Sequence, residues 1–253
     1  MSLRDRHALV TGASRGLGAA IAGALTEAGA RVTALGRSES ALRDIVSRGF
    51  ARASVVADVT DEGAMREACE SAANTSGPID ILIANAGGAE SAPFLKTDAT
   101  AFSRMLGLNL MGVVHAAQAV LPAMIERKNG RIIAVASTAG LRGYPYVTAY
   151  SAAKHAVIGL VRSLALETAT RGVTINAVCP GFADTDLTEE SVARIMAKTG
   201  RSREEAVTEL AKHNPQGRLV SPDEVANAVL WLCGAGAGAI TGQAIAVAGG
   251  EVT

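Results

Sequence analysis

The sequence has no excess charge of either sign. Its 24 Lys and Arg balance 24 Asp and Glu, a formal net charge of zero. A chain that held nucleic acid through bulk charge would be basic, so that class is set aside. Cysteine is scarce. Cys69, Cys179 and Cys233 stand far apart, with no CxxC and no Cys/His ligand spacing. That argues against a disulfide-built secreted domain and a structural zinc site. No metal is expected elsewhere: Asp184, Asp186, Glu189 and Glu190 lack a supporting His and read as solvated carboxylates. Residues Met1–His7 contain no apolar signal core, so a cytoplasmic chain is expected. Uninterrupted apolar runs are also missing. Met105–Ile125 and Val225–Gly250 carry no Lys, Arg, Asp or Glu, but the first holds Asn109, His115, Gln118 and Pro122. The second is broken by Gly234–Gly238. Neither is the run of about 20 apolar residues that a membrane span needs.

What is present is apolar and glycine-rich: 49% hydrophobic residues, 19% charged and 27 Gly in 253 residues. Such a chain folds rather than staying disordered, and its length allows one large α/β domain or two small ones. Short β-branched runs alternate with longer helical patterns. The expected strands are His7–Thr11, Arg31–Leu35, Ala53–Val56, Ile79–Ala84, Arg131–Ala136, Thr174–Val178 and Ala244–Ala248. Most are continuously apolar, as in a parallel sheet covered on both faces. Leu17–Ala28, Glu62–Asn74 and Tyr150–Thr170 read as helices. The rhythm predicts one α/β domain over residues 1–253, a doubly wound seven-stranded parallel sheet with helices on both faces. Met105–Ile125 is expected as a buried helix, and Val225–Gly250 as a helix, a turn and a strand. Helices this poor in charge need cover on more than one face, which hints at a subunit interface. The polar stretch Asp184–Asn214 breaks the rhythm after a strand end, where active-site lids occur.

Directly after the first strand comes a glycine turn holding Gly12, Ser14, Arg15, Gly16, Leu17 and Gly18, and a helix follows. Glycines there let the backbone approach a pyrophosphate, and the helix N-terminus offers free N–H groups. The spacing departs from GxGxxG, with three residues between the first two glycines. Further on, Tyr150 and Lys154 stand at i and i+4 on one helix face. An ammonium close to a phenol favours the phenolate, so Tyr150 is expected to have a lowered pKa and to exchange protons near neutrality. Ser137 follows the strand Arg131–Ala136 at the carboxyl edge, where open α/β sheets bind ligands. His115 reads as a satisfied buried His. His155 points away from Lys154 on the helix and reads as structural. No GxSxG elbow supports a hydrolase.

Together these features resemble the short-chain dehydrogenases/reductases. TGxxxGxG at Thr11–Gly18, then Asp58-Val59, Asn85-Ala86-Gly87, Asn109, Ser137, Tyr150, Lys154 and Pro180-Gly181 follow in the family's order. The residue before Asn85 is Ala84, where the family usually has Asn. The resemblance spans the whole chain and implies a single Rossmann-type domain. It implies four roles: Tyr150 as proton donor or acceptor, Lys154 lowering its pKa and bonding the nicotinamide ribose, Ser137 positioning the substrate oxygen, and Asn109 anchoring a water. It places Asp58 and Val59 near adenine, and adds Asn85, Ala86, Gly87, Pro180, Gly181 and Thr185 to the cofactor contacts. The second strand ends Leu35-Gly36-Arg37, with no acid to bond a ribose 2′-hydroxyl. Arg37 and Arg15 suit a 2′-phosphate instead, so NADP(H) is expected, with NAD(H) the alternative.

Tyr144–Leu187 and the ending with Gly249-Gly250 resemble the branch of 3-oxoacyl-thioester and polyketide ketoreductases. The expected substrate is a small carbonyl or alcohol, in particular a 3-oxoacyl thioester on coenzyme A or an acyl-carrier protein. The alternatives are an NAD-linked dehydrogenase of 3-hydroxyacyl-CoA or small secondary alcohols, and a silent NADP(H)-binding sensor or scaffold. Arg194, Lys198, Arg201 and Arg203 on the lid either meet carrier phosphates or form a solvated face beside Glu204, Glu205 and Glu209. The family also implies a homotetramer, paired through its long charge-poor helices and the C-terminal helix and strand.

Overall fold

The computed structural model describes residues 2–252. Seven strands form one sheet: β1 (His7–Thr11), β2 (Arg31–Gly36), β3 (Ala53–Val56), β4 (Ile81–Ala84), β5 (Gly130–Val135), β6 (Val173–Pro180) and β7 (Ala244–Val247). All neighbours run parallel, in the order β3-β2-β1-β4-β5-β6-β7. The chain reverses its winding between β1 and β4, which opens a crevice at the strands' carboxyl ends. The strands match the expected ones within two residues at each end.

The buried strands alternate sides. Leu9, Leu82, Ile132 and Ile175 face one layer, with Met65, Val113, Val120, Met124, Val157 and Val161. These helical residues come from α3 (Glu62–Ser76), α5 (Gly112–Glu126) and α6 (Thr148–Thr168). Val10, Val32, Ile83 and Ile133 face the other, with Ile21, Leu25, Leu42, Ile45, Val225, Val229 and Leu232. That layer is built by α1 (Gly16–Glu27), α2 (Glu39–Ser47) and α9 (Pro222–Cys233). Two apolar layers on a doubly covered sheet are what the continuous apolar strands require. The three cysteines are buried thiols, and burial pushes Cys69 and Cys179 up to about 11 and Cys233 up to about 12.

Met105–Ile125 is not one regular helix. It joins α4 (Ala99–Leu106) to α5 through a wider π turn, Gly107–Met111. The cause is tertiary. Fully buried Asn109 uses its amide to donate to the Gly88 carbonyl at 3.0 Å and the Met105 carbonyl at 3.1 Å. Such turns occur frequently at functional sites. By length and composition Ala99–Glu126 is apolar enough to cross a membrane. In the fold its Val113, Ala116, Val120 and Met124 are buried against the sheet. The stretch expected as a lid holds α7 (Asp186–Thr199) and α8 (Arg203–Ala211), packed together through a small cluster of Val192, Ala206 and Leu210.

Candidate active site

The helix starts differ according to where they point. Ser38, Asp61, Asp98, Ser202 and Ser221 cap α2, α3, α4, α8 and α9 with their side chains. No side chain caps α1, α6 or α7. Of these, the N-termini of α1 and α7 line the same crevice, so their first N–H groups are left for an anion.

Two positions around the start of α1 leave no room for a Cβ. Gly12 has φ +64°, and a Cβ there would lie 2.8 Å from Ala86 Cα. A Cβ on Gly18 would lie 2.1 Å from the Gly12 carbonyl oxygen. Asn85 braces the turn: its Nδ2 donates to the Thr11 and Gly12 carbonyls at 3.0 and 3.2 Å. The Asn85 and Ala86 N–H groups both donate to Thr11 Oγ1 at 3.0 Å.

Two cavities adjoin at the crevice. One, of about 460 Å³, is lined by Gly12, Ser14, Arg15, Gly16, Leu17, Gly18, Arg37, Asp58, Val59, Asn85, Ala86, Gly87, Asn109, Lys154 and others. The other, of about 630 Å³, is mostly apolar and runs under the lid; Ser137, Pro180 and Gly181 line it. Tyr150, Thr185 and Leu17 line both. Every residue expected to take part in catalysis or to touch the cofactor thus falls on one cavity or the other. Pro180 and Gly181 lie on the apolar one alone. The uncapped helix, the close glycine approach and the absence of an acid at the end of β2 fit a dinucleotide with an added phosphate.

At the junction, Ser137 caps a short turn, accepting the Ala139 N–H at 3.1 Å. Lys154 Nζ donates to the Val135 carbonyl at 2.9 Å and lies 5.7 Å from the Tyr150 ring centre. Burial brings Lys154 down to about 8. Burial also raises Tyr150, and the hydrogen bond from Ser137 only partly opposes it. This corrects the expected lowering of the Tyr150 pKa. The ammonium is aimed at a backbone carbonyl rather than the phenol oxygen, so desolvation governs the phenol. Asn109 Oδ1 accepts the Gly88 N–H at 3.2 Å. A Cβ on Gly87 would lie 2.8 Å from that oxygen and 3.6 Å from Lys154 Nζ, so Gly87 separates the two side chains.

Arg15 reaches Asp186 and Glu190 of the lid at 3.6 and 3.8 Å, and Arg37 reaches Asp58 at 3.8 Å. All these side chains are exposed, and such pairs are worth about 0–1 kcal/mol, so either guanidinium can turn to another anion. Thr60 holds the Asp58 carboxyl below its usual range through its backbone N–H and hydroxyl, and Arg37 adds to this. His115 Nδ1 lies 2.9 Å from the Val59 carbonyl, and His155 Nδ1 lies 2.9 Å from the Ser151 carbonyl. Both hydrogen bonds are structural ones.

The family model described as short chain dehydrogenase matches residues 6–195. The chain belongs to that family. This short-chain dehydrogenase is also similar to curated proteins over nearly its whole length. It is 36% identical over 251 residues to "3-oxoacyl-[acyl-carrier-protein] reductase FabG" of Vibrio cholerae, covering 99% of this chain and 98% of that one. It is 36% identical over 253 residues to "Oxidoreductase UcpA" of Escherichia coli, covering 98% and 95%. Among solved structures it resembles a variant of the actinorhodin polyketide ketoreductase with NADPH, at TM-score 0.94, 36% identity and 99% coverage of both chains. As a short-chain dehydrogenase the chain is an oxidoreductase.

Sequence reading missed one feature of this short-chain dehydrogenase. Tyr144 lines the apolar cavity, and its hydroxyl donates to the carboxylate of Glu251 and lies 2.8 Å from Thr138 Oγ1. Phe182 and His213 stack at 5.7 Å beside it and meet its ring edge-on. The Tyr144–Glu251 contact spans 107 positions and leaves no local pattern to find.

Proposed function

We propose that this enzyme is an NADP(H)-dependent reductase of 3-oxoacyl groups, with a thioester of coenzyme A or an acyl-carrier protein as the substrate. One observation carries the reading: Tyr150 lies on the wall shared by a glycine-loop cavity and an apolar cavity, with Ser137 beside it. The first cavity suits the dinucleotide and the second an acyl chain.

In this reading Gly12, Ser14, Arg15, Gly16, Leu17 and Gly18 hold the phosphates, and Asp58, Val59, Asn85, Ala86 and Gly87 line the adenosine side. Arg15 and Arg37 hold the 2′-phosphate. Thr185 holds the carboxamide beside Pro180 and Gly181. Bound there, the nicotinamide supplies the hydride. Ser137 holds the substrate oxygen, and the Tyr150 hydroxyl gives it a proton. The raised Tyr150 pKa keeps that proton in place until the oxygen becomes basic. Lys154 and Asn109 lie behind the phenol, where they serve proton return. The cytoplasm supplies both cofactor and substrate. The relatives, which include a 3-oxoacyl reductase and an NADPH-bound ketoreductase, support the reading.

The test is NADPH oxidation with acetoacetyl-CoA, ethyl acetoacetate and cyclohexanone, repeated with NADH. The reading expects turnover of the thioester and a kcat/KM at least about 10-fold higher with NADPH. That is the ratio a difference of about 1.4 kcal/mol supplies. No activity on any thioester, or a preference for NADH, would remove it.

A further inference from the structure

The four basic residues of the lid look alike in sequence, but the structure divides them. Arg201 pairs with Glu209 at 3.1 Å, and Arg203 pairs with Glu189. Among the described residues Arg194 and Lys198 have no carboxylate partner within 4 Å, and both line the apolar cavity. They stand one turn apart on α7, at i and i+4, and so share a face. Arg194 is half-buried. Its Nε donates to the Glu190 carbonyl and its Nη2 to Ser191 Oγ, each at 3.2 Å, which leaves Nη1 without a partner. Lys198 is exposed.

The rest of the cavity sharpens the contrast. Among the described residues its lining includes no Asp and no Glu. His213 is the only other side chain there that can carry positive charge. An apolar cavity whose only charges are two unpaired cations is complementary to an apolar molecule with an anionic end. Low-dielectric walls strengthen that attraction.

We propose that Arg194 and Lys198 form an anion subsite for the end of the substrate remote from its ketone. The ligand group is a phosphate or a carboxylate, carried on a ketone substrate, a 3-oxoacyl thioester among them, whose carbonyl faces Ser137 and Tyr150. The placement of that carbonyl rests on the function proposed above. A charge-assisted contact to guanidinium or ammonium holds the tail in the same way for either anion.

Matched pairs of substrates separate the sources, with NADPH saturating throughout. Acetoacetyl-CoA against ethyl acetoacetate reports a phosphate tail; 5-oxohexanoate against its methyl ester reports a carboxylate tail. The variants are Arg194→Gln, Lys198→Gln and the double. The double variant should raise KM about 10-fold or more for the charged member of at least one pair. It should change the neutral member far less and leave kcat for both nearly unchanged. Raising the salt should weaken only the charged substrates of the unaltered enzyme. Calorimetric titration of coenzyme A and of 5-oxohexanoate into the NADP+-saturated protein needs no turnover. At least one should bind the unaltered enzyme and lose affinity in the double variant. Equal losses for charged and neutral substrates, or binding that the double variant leaves unchanged, would overturn the subsite. An enzyme inactive on every ketone would instead overturn the proposed function, and the titrations would still decide the subsite.

Discussion

Lys154 carries a conflict between stability and use. Burial takes it from an ordinary 10.5 to about 8, so at pH 7 the folded chain holds a charge in a place that disfavours it. A lowering of that size corresponds to about 3 kcal/mol, present in full below the folded value. The penalty fades between pH 8 and 10.5 and is gone above, where both states are neutral. Lys154→Met removes the charge but orphans the Val135 carbonyl, which returns about 1–2 kcal/mol. The variant should therefore be more stable by about 1–2 kcal/mol in urea unfolding at pH 7, with the gain absent near pH 11, and nearly inactive. Lower stability at pH 7 would show that the ammonium is not held at a loss. Tyr144 shows the opposite case. Burial and the Glu251 carboxylate raise its pKa, so it is held neutral in the cavity wall. Tyr144→Phe and Glu251→Ala each break the same hydrogen bond. Their effects on KM should therefore not add: the double variant should match the worse single one within about twofold. Fully additive losses would mean the two residues act separately.

At the scale of elements, the glycine loop was legible because its constraint is local. A strand, a turn that excludes Cβ atoms and a helix start leave a signature within Thr11–Gly18. Gly18→Ala tests it. The added Cβ would lie 2.1 Å from the Gly12 carbonyl oxygen and 2.6 Å from Asn85 Nδ2, so backbone must move. The expected outcome is a loss of about 1–3 kcal/mol in stability and NADPH binding at least 10-fold weaker by fluorescence titration. Unchanged binding would show that the close approach does not serve the cofactor. The central strands were legible for a similar reason, since burial on both faces makes them short apolar runs. The π turn at Gly107–Met111 was not, because what bends it is a hydrogen bond from Asn109 to Gly88, a loop outside the helix. The division of the lid cations was hidden too. Whether Arg194 or Arg203 meets a carboxylate depends on how α7 and α8 fold against each other.

For the whole molecule, zero net charge is an average over unlike regions. Arg15 and Arg37 border one cavity, Arg194 and Lys198 the other, and the outer face of α6 has exposed Ala152, Gly159 and Leu166. Leu166 is 82% exposed on a single chain, and Trp231 on α9 is 46% exposed. Faces of that kind fit self-association through two isologous contacts. Light scattering should give a tetramer, four times the 25.7 kDa of one chain. Leu166→Glu should yield a smaller species with an unchanged circular dichroism spectrum; a monomeric parent protein would contradict both. The chemistry proposed for Tyr150 sits where the two cavities meet. Its most direct test is Tyr150→Phe, assayed for NADPH affinity and for turnover of acetoacetyl-CoA and ethyl acetoacetate. The account predicts NADPH binding within about twofold of the parent and a kcat lower by about 10²–10⁴. Turnover at the parent rate, with cofactor bound equally well, would contradict it.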